Sequence, residues 1–260
     1  DSEVLFHVED GAEGDRFGRA VAGVGDVNGD GTPDFAVGAP RDSSIARDNG
    51  SIRVYSGADG SVIHHLRGVR DDKLGTDIAG VGDINGDGKA DFIAGGPSHL
   101  NDFSVQMGAA WVFSGPDGSV LRELEGPSGG FFGGSVGSAG DVNDDGVPDV
   151  IVGALSAETT GRVYVYSGSD WSLLHELSGV QPGERFGRCV DGAGDVDGDG
   201  HADLLIGASL NDDIGENHGA VMLSSGATGA ELYRFYGDDD TDVLGDRVCG
   251  LGDVNGDGYA

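Results

Sequence analysis

Short apolar runs, broken by glycine and aspartate, recur along this chain, and no long window carries the 3.6-residue spacing of an amphipathic helix. One set of runs, FAVG, FIAG, VIVG and LLIG, ends in glycine at residues 38, 95, 153 and 207. A second set alternates: GSIRVYSG from 50, GAAWVFSG from 108, GRVYVYSG from 161 and GAVMLSSG from 219. A third set follows at once: SVIHHLRG, SVLRELEG, SLLHELSG and AELYRFYG. The runs are rich in Val, Ile, Leu, Phe and Tyr, as strands are. With a further stretch ahead of each FAVG-type run, every unit reads as four short strands separated by Gly- and Asp-rich turns.

The period is long. An aspartate that opens an acidic turn recurs at 26, 83, 141, 195 and 253, in steps of 57, 58, 54 and 58 residues. Nine residues before it stands an aromatic or Leu followed by Gly: Phe17-Gly18, Leu74-Gly75, Phe132-Gly133, Phe186-Gly187 and Leu244-Gly245. Leucine-rich repeats are much shorter, and the missing helices exclude helical solenoids and βαβ units. Four antiparallel strands per repeat predict an all-β fold, a β-propeller of four-stranded blades with calcium-binding hairpin loops. A lone four-stranded sheet leaves both faces uncovered, so successive blades must pack face to face. The expected organisation is a single propeller region over 1–260. Its repeats fall near 15–67, 72–125, 131–178 and 184–236, with a partial unit at 244–260 and an outer strand near 3–9.

The acidic turn reads D-x-[DN]-x-D-G-x-x-D. Its copies supply Asp26, Asn28, Asp30, Thr32 and Asp34, then Asp83, Asn85, Asp87, Lys89 and Asp91. The next copies supply Asp141, Asn143, Asp145, Val147 and Asp149, then Asp195, Asp197, Asp199, His201 and Asp203. A fifth copy has Asp253, Asn255, Asp257 and Tyr259, and its ninth position lies past Ala260. Calcium takes six to eight hard oxygens, and positions one, three and five of a curled loop can aim side-chain oxygens inward. Glycine at position six suits a sharp turn that needs positive φ. Position seven would then offer its backbone carbonyl, which leaves its side chain free to vary, and position nine would close the site. The loop is similar to the first half of an EF-hand but lacks the Glu at position twelve and the flanking helices, so it should sit in a β-hairpin. One such turn could simply be an Asx turn, but four complete copies at one offset point to a cation. Two carboxylates ~4 Å apart repel by about 4 kcal/mol at an effective dielectric of 20, which a bound cation would relieve. About four calcium sites are expected, with the fifth incomplete. They should be structural, because the ligands come from one contiguous loop with no general base beside them.

Charge narrows the partners. The chain has 15 Lys+Arg against 46 Asp+Glu, a formal charge of -31, which argues against nucleic acid and anionic membrane surfaces. The 51 glycines and 7 prolines serve as turn residues, because a strict long period is not the mark of low complexity. No apolar run approaches the ~18 residues of a membrane span, so direct membrane insertion is not expected. Cys189 and Cys249 fall on neighbouring inner strands, too far apart for a bridge to be expected. No leader segment precedes the first strand, which suits a mature or trimmed chain.

The F-G pair, the acidic loop and the G-A-P ending resemble FG-GAP repeats, which form the β-propeller of integrin α subunits and related bacterial surface proteins. Phe17-Gly18 with Gly38-Ala39-Pro40 is the fullest match, while Leu74, Leu244, Gly96, Leu155 and Ser209 depart from the pattern. The resemblance implies a seven-bladed ring of about 400 residues at this period, so the chain is expected to be an open arc from a longer protein. It also implies that partners bind the face opposite the acidic loops, at 41–49, 98–107, 156–160 and 210–218, with 68–73, 126–130, 179–183 and 237–243 beside them. Arg41, Arg47, His99, Phe103 and Asn217 are the exposed candidates there. Trp111, Tyr55, Tyr164 and Tyr166 should pack between blades, His64 and His65 should point to opposite faces of a strand, and Asn49-Gly50-Ser51 forms a glycosylation sequon. No nucleophile elbow, phosphate loop or zinc motif is present, so the chain is not expected to be an enzyme. The leading expectation is a calcium-stabilised extracellular interaction or adhesion module with a protein or glycan partner. The alternatives are an accessory propeller of a secreted, phospholipase-like hydrolase, or a carbohydrate-binding propeller lectin.

Overall fold

A computed structural model of the chain describes residues 6–9, 11–101 and 103–256. It contains four antiparallel four-stranded sheets, one per repeat. The first runs β1 (Ala20–Gly25), β2 (Asp34–Ala39), β3 (Ser51–Tyr55) and β4 (Val62–Arg67). The second runs β5 (Ile78–Gly82), β6 (Asp91–Gly96), β7 (Ala109–Phe113) and β8 (Val120–Glu125). The third runs β9 (Phe132–Gly140), β10 (Asp149–Ala154), β11 (Arg162–Tyr166) and β12 (Leu173–Ser178). The fourth runs β13 (Phe186–Gly194), β14 (Asp203–Ala208), β15 (Ala220–Ser224) and β16 (Glu231–Tyr236). Strand order within each sheet follows the sequence, and a single 3-10 turn, Ala157–Thr159, is the one helical element among the described residues.

Burial explains the two kinds of run seen in the sequence. Every residue of β6, β7 and β10 is buried, because the middle strands lie between neighbouring sheets. The outermost strands β4, β8, β12 and β16 are partly exposed along their length. Three apolar cores fill the three gaps between the four sheets. Val24, Ile52, Phe92 and Trp111 meet in the first, Ile93, Phe132, Val150 and Tyr164 in the second, and Ile151, Phe186, Ile206 and Met222 in the third. Tyr55 stacks on Phe35 with ring centroids 5.2 Å apart, and Phe132 packs against Tyr164 at 5.5 Å.

Two glycines per repeat set how closely the sheets approach. The glycine ending each FAVG-type run lies against the glycine of the next repeat's F-G pair. A Cβ on Gly38, Gly95, Gly153 or Gly207 would come 1.9–2.2 Å from the carbonyl oxygen of Gly75, Gly133, Gly187 or Gly245. The second glycine of each pair also has positive φ, +79° at Gly187 for instance, which other residues reach only with strain. The aromatic or Leu before it fills the gap to the preceding sheet. Leu74, Phe132 and Phe186 are buried, whereas Phe17, with no sheet before it among the described residues, is half-exposed under the Arg53 guanidinium.

Two expected strands are not seen among the described residues. Residues 6–9 lie outside any strand and residues 1–5 are outside the described residues. The segment 244–252 forms no ladder: Leu244 makes an isolated bridge to Gly219, and the Val248 and Gly250 N–H groups donate to Cys189 Sγ and Asp191 Oδ2 of β13. Cys189 and Cys249 are free thiols, one buried and one exposed. Asn49 is fully buried and its Nδ2 donates to the Gly50 carbonyl, so the sequon is closed to a modifying enzyme in the folded chain.

Two predictions follow from this packing. Gly153→Ala should cost about 3 kcal/mol or more in a urea melt, the upper range of core overpacking, because its neighbour is backbone that cannot yield. Gly23→Ala, in strand β1 with open space around it, should change the melt by less than about 1 kcal/mol. The second concerns His218, which is largely buried with both ring nitrogens facing acceptors. Nδ1 lies 2.9 Å from the Gly237 carbonyl and Nε2 lies 2.9 Å from Asp240 Oδ1. Only the imidazolium can donate to both, so the Gly237 carbonyl and then Asp240 raise its pKa above the ordinary 6.5. Because the folded-state value is the higher one, this stabilisation is complete below pH 6.5 and is lost as pH rises through the raised value. Urea midpoints measured across that range should fall for the wild type, and His218→Gln should flatten the slope.

Candidate metal centres

The four complete acidic turns are the hairpins β1–β2, β5–β6, β9–β10 and β13–β14, and antiparallel order puts them all at one end of their sheets. Within each, the first aspartate organises the backbone. Asp26 Oδ1 accepts from the N–H groups of Gly29 at 2.7 Å and Asp30 at 3.1 Å, and its Oδ2 accepts from Gly31 at 2.8 Å. Asp83 and Asp195 repeat this set, and Asp141 repeats it from positions five and six. The side-chain oxygen of position three, from Asn28, Asn85, Asn143 or Asp197, accepts the position-five N–H. The position-five carboxylate, from Asp30, Asp87, Asp145 or Asp199, accepts the N–H of Thr32, Lys89, Val147 or His201 at position seven. Position six, Gly31, Gly88, Gly146 or Gly200, has φ between +85° and +93°, the conformation the sequence pattern requires.

Position nine does more than close the ring. Asp34, Asp91, Asp149 and Asp203 are each at most 2 % exposed, and both carboxylate oxygens are engaged. Asp149 Oδ2 accepts the Val142 N–H at 2.8 Å and Oδ1 accepts the Gly168 N–H at 2.9 Å. The same two bonds tie Asp34 to Val27 and Gly57, Asp91 to Ile84 and Gly115, and Asp203 to Val196 and Gly226. Each acidic hairpin is thus clamped to the turn between the third and fourth strands of its own sheet. The motif pattern did not reveal Gly57, Gly115, Gly168 and Gly226 as part of the site. It also missed Ser169, whose hydroxyl donates to Asp145 Oδ2 at 2.7 Å.

Burial pushes the Asp91, Asp149 and Asp203 carboxyls above the ordinary carboxylate range, against the pull of their two N–H donors. Asp30 is held below that range by the Thr32 N–H and then Asn28, and Asp145 by the Ser169 hydroxyl and then the Val147 N–H. In the fourth hairpin one oxygen each from Asp195, Asp197 and Asp203 lies within 4.8 Å of the others. That is the greatest separation of two ligands across an ion with bonds of ~2.4 Å, the calcium–oxygen distance. In the fifth turn Asp253 Oδ1 accepts the Gly256 N–H at 2.6 Å, Asn255 precedes it, and Asp257 and Tyr259 lie outside the described residues.

Adjacent hairpins also touch. The Ala90 N–H donates to the Asp26 carbonyl and Lys89 Nζ to the Asn28 carbonyl. The Ala202 N–H donates to the Asp141 carbonyl, and His201 Nδ1 lies 2.8 Å from the Val142 carbonyl. The position-seven side chains vary in identity, as the sequence pattern allows. At Lys89 and His201 they also reach back to the preceding hairpin.

At the opposite end, Phe103 is 87 % exposed and Arg41 is exposed. Arg47 is exposed but paired with Asp71 at 2.7 Å. Asn217 is half-buried with φ +52°, a turn residue. His99 was expected on the surface, yet its side chain is only 12 % exposed, because Asp72 holds it inward. His64 Nε2 lies 2.6 Å from the Gly115 carbonyl, while His65 turns to the other face beside Arg67.

The geometry has counterparts in known proteins. The FG-GAP repeat model matches residues 17–55 and 191–222, and the FG-GAP-like repeat model matches 141–206. Integrin alpha-2 of Bos taurus is 31 % identical over 211 residues, 74 % of this chain and 17 % of that protein. Integrin alpha-3 of Cricetulus griseus is 36 % identical over 154 residues, 54 % of this chain and 14 % of that protein. The chain thus spans less than a fifth of the length of these two relatives. In fold it is similar to the exotype rhamnogalacturonan lyase YesX, with TM-score 0.51 and 19 % identity over 81 % of this chain and 40 % of that one. The Dos1 propeller gives TM-score 0.50 at 10 % identity over 82 % of this chain and 47 % of that one. Sequential four-stranded blades, paired F-G and G-A-P glycines and an acidic hairpin in each blade place the chain in the FG-GAP repeat family of integrin α-type β-propellers.

Proposed function

We propose that the four complete acidic hairpins bind calcium, that the bound ions stabilise the blades, and that the chain is a non-catalytic extracellular interaction module. The observation that carries the metal reading is the fourth hairpin, where three carboxylate oxygens converge within 4.8 Å and one of them is buried. The side chains that would hold the ions are positions one, three and five, assisted by position nine. Position seven would add its carbonyl, from Thr32, Lys89, Val147 and His201. The third hairpin's Ser169 would steady Asp145. The backbone N–H groups already folded around the first aspartate mean that little ordering remains to be done on binding. The ions would add +8 to a formal charge of -31.

The adhesive reading rests on the similarity to integrin α subunits and on the separation of two loop faces. The acidic hairpins occupy one end, so the connections between second and third strands, and between sheets, are left for a protein partner. Among the described residues no helix is long and apolar enough to cross a membrane.

Metal analysis after dialysis against calcium should find about four ions per chain, and EDTA should lower the melting temperature by several degrees as this binding energy is lost. No bound calcium together with an unchanged melt would refute the structural role. Two substitutions separate ligand from clamp. Asp197→Ala should remove about one ion and leave the melt in EDTA nearly unchanged, because its carboxylate is exposed and accepts only a loop N–H. Asp149→Ala should also destabilise the metal-free chain, by about 2–5 kcal/mol, since the Val142 and Gly168 N–H groups lose their acceptor.

A further inference from the structure

A different cluster of donor atoms stands at the opposite end of the blades. His99, in the β6–β7 loop, lies between the first and second sheets. Its Nδ1 is 3.0 Å from Asp72 Oδ1, and Asp72 is buried, with its other oxygen accepting the Val69 N–H at 2.6 Å. That carboxylate fixes the ring with its proton on Nδ1, which leaves the Nε2 lone pair pointing away. Two outer-strand residues meet it there. Glu123 Oε1 and Glu125 Oε1 are each 3.6 Å from Nε2, and the three donor atoms all lie within 4.8 Å of one another. A distance of 3.6 Å is too long for a hydrogen bond. It is close to the ~3.4 Å between neighbouring ligands of a tetrahedral ion with bonds of ~2.1 Å. The Trp111 ring stands edge-on to the imidazole at 5.4 Å and is nearly buried, which backs the cluster with an apolar wall. A cavity of about 540 Å³, lined by His99, Phe103, Glu123 and Glu125 among others, opens in front of it.

Comparison between the repeats separates this cluster from ordinary blade architecture. The clamp itself is structural, for in the fourth sheet Asn211 Nδ2 donates to Glu184 Oε2 at 2.7 Å from the equivalent positions. In the third sheet the same places hold Ala157 and Gly130, and no clamp forms. The first sheet holds Asp42 and Asp15 at those places, so only the second sheet puts an imidazole there, with a second ring nitrogen to offer. Only its outer strand turns two carboxylates toward it, where β4 has His65 and Arg67, β12 has Glu176 and Ser178, and β16 has Arg234 and Tyr236. His218 offers no such donor, since both its nitrogens are already engaged.

We propose that His99, Glu123 and Glu125 bind one divalent transition-metal cation, with zinc the natural occupant of an imidazole–dicarboxylate set. Asp72 is the positioning residue, and the fourth coordination place faces the cavity, open to water or to an oxygen donor of a partner. The site does not depend on calcium at the hairpins.

Zinc binding measured by calorimetry and metal analysis, in excess calcium at neutral pH, tests it. Wild type should retain about one zinc per chain. His99→Asn, which copies the Asn211 clamp and so preserves the fold, should weaken that binding at least 10-fold. The double variant Glu123→Gln, Glu125→Gln, on the exposed outer strand, should do the same, while Asp197→Ala should retain the zinc. Equal zinc affinity in wild type and both His99 and Glu variants, or no zinc retained by wild type, would overturn the assignment.

Discussion

One buried carboxylate per sheet holds each acidic hairpin to the rest of its blade, and the position of every other ligand candidate follows from it. Asp34, Asp91, Asp149 and Asp203 each spend one oxygen on the second residue of their own hairpin and the other on a glycine N–H 19–24 residues further along. The hairpin is thereby fixed at both ends before any cation arrives. The first aspartate then curls the remaining backbone around itself. Such a loop would bind an ion with little further loss of conformational freedom, since preorganisation of this kind raises affinity without adding contacts. Burial of Asp91, Asp149 and Asp203 disfavours their charge, and a cation would reverse the preference.

Between blades the controlling contact is backbone on backbone. The paired glycines let successive sheets approach until the apolar cores close, and the F-G aromatic or Leu fills what remains. At the end of the acidic hairpins these lean on one another through Ala90 and Lys89, and through Ala202 and His201, so those pairs share a common support. At the other end, loops of adjacent sheets are joined by clamps in which a carboxylate accepts from a side-chain N–H, as in Glu184–Asn211 and Asp72–His99. The two ends are therefore built differently. One repeats a single motif and the other varies from blade to blade, which suits it to specific recognition.

Much of this was legible in the sequence. The period of the acidic turns, the alternation of the third strands and the continuous apolar second strands gave the strands and their order, because these are local patterns that sheet geometry requires. What escaped was contact across long separations. Gly153 against Gly187 joins different repeats, and Asp149 against Gly168 joins different hairpins, so neither leaves a mark in a nine-residue motif. His99 looked exposed because it sits in a polar loop, and only the fold brings Asp72 beneath it. The strand expected at 244–252 fails for a related reason. Its sequence is like that of β1, but an isolated inner strand has no ladder to join.

Anomalous diffraction from a crystal grown in calcium would test the role of the acidic hairpins most directly. The expected result is an ion in each hairpin at 26–34, 83–91, 141–149 and 195–203, held by side-chain oxygens of positions one, three and five and by the carbonyl of position seven. Hairpins without ions at millimolar calcium, their carboxylates engaged only by backbone N–H groups, would contradict it and leave the aspartates as turn formers alone.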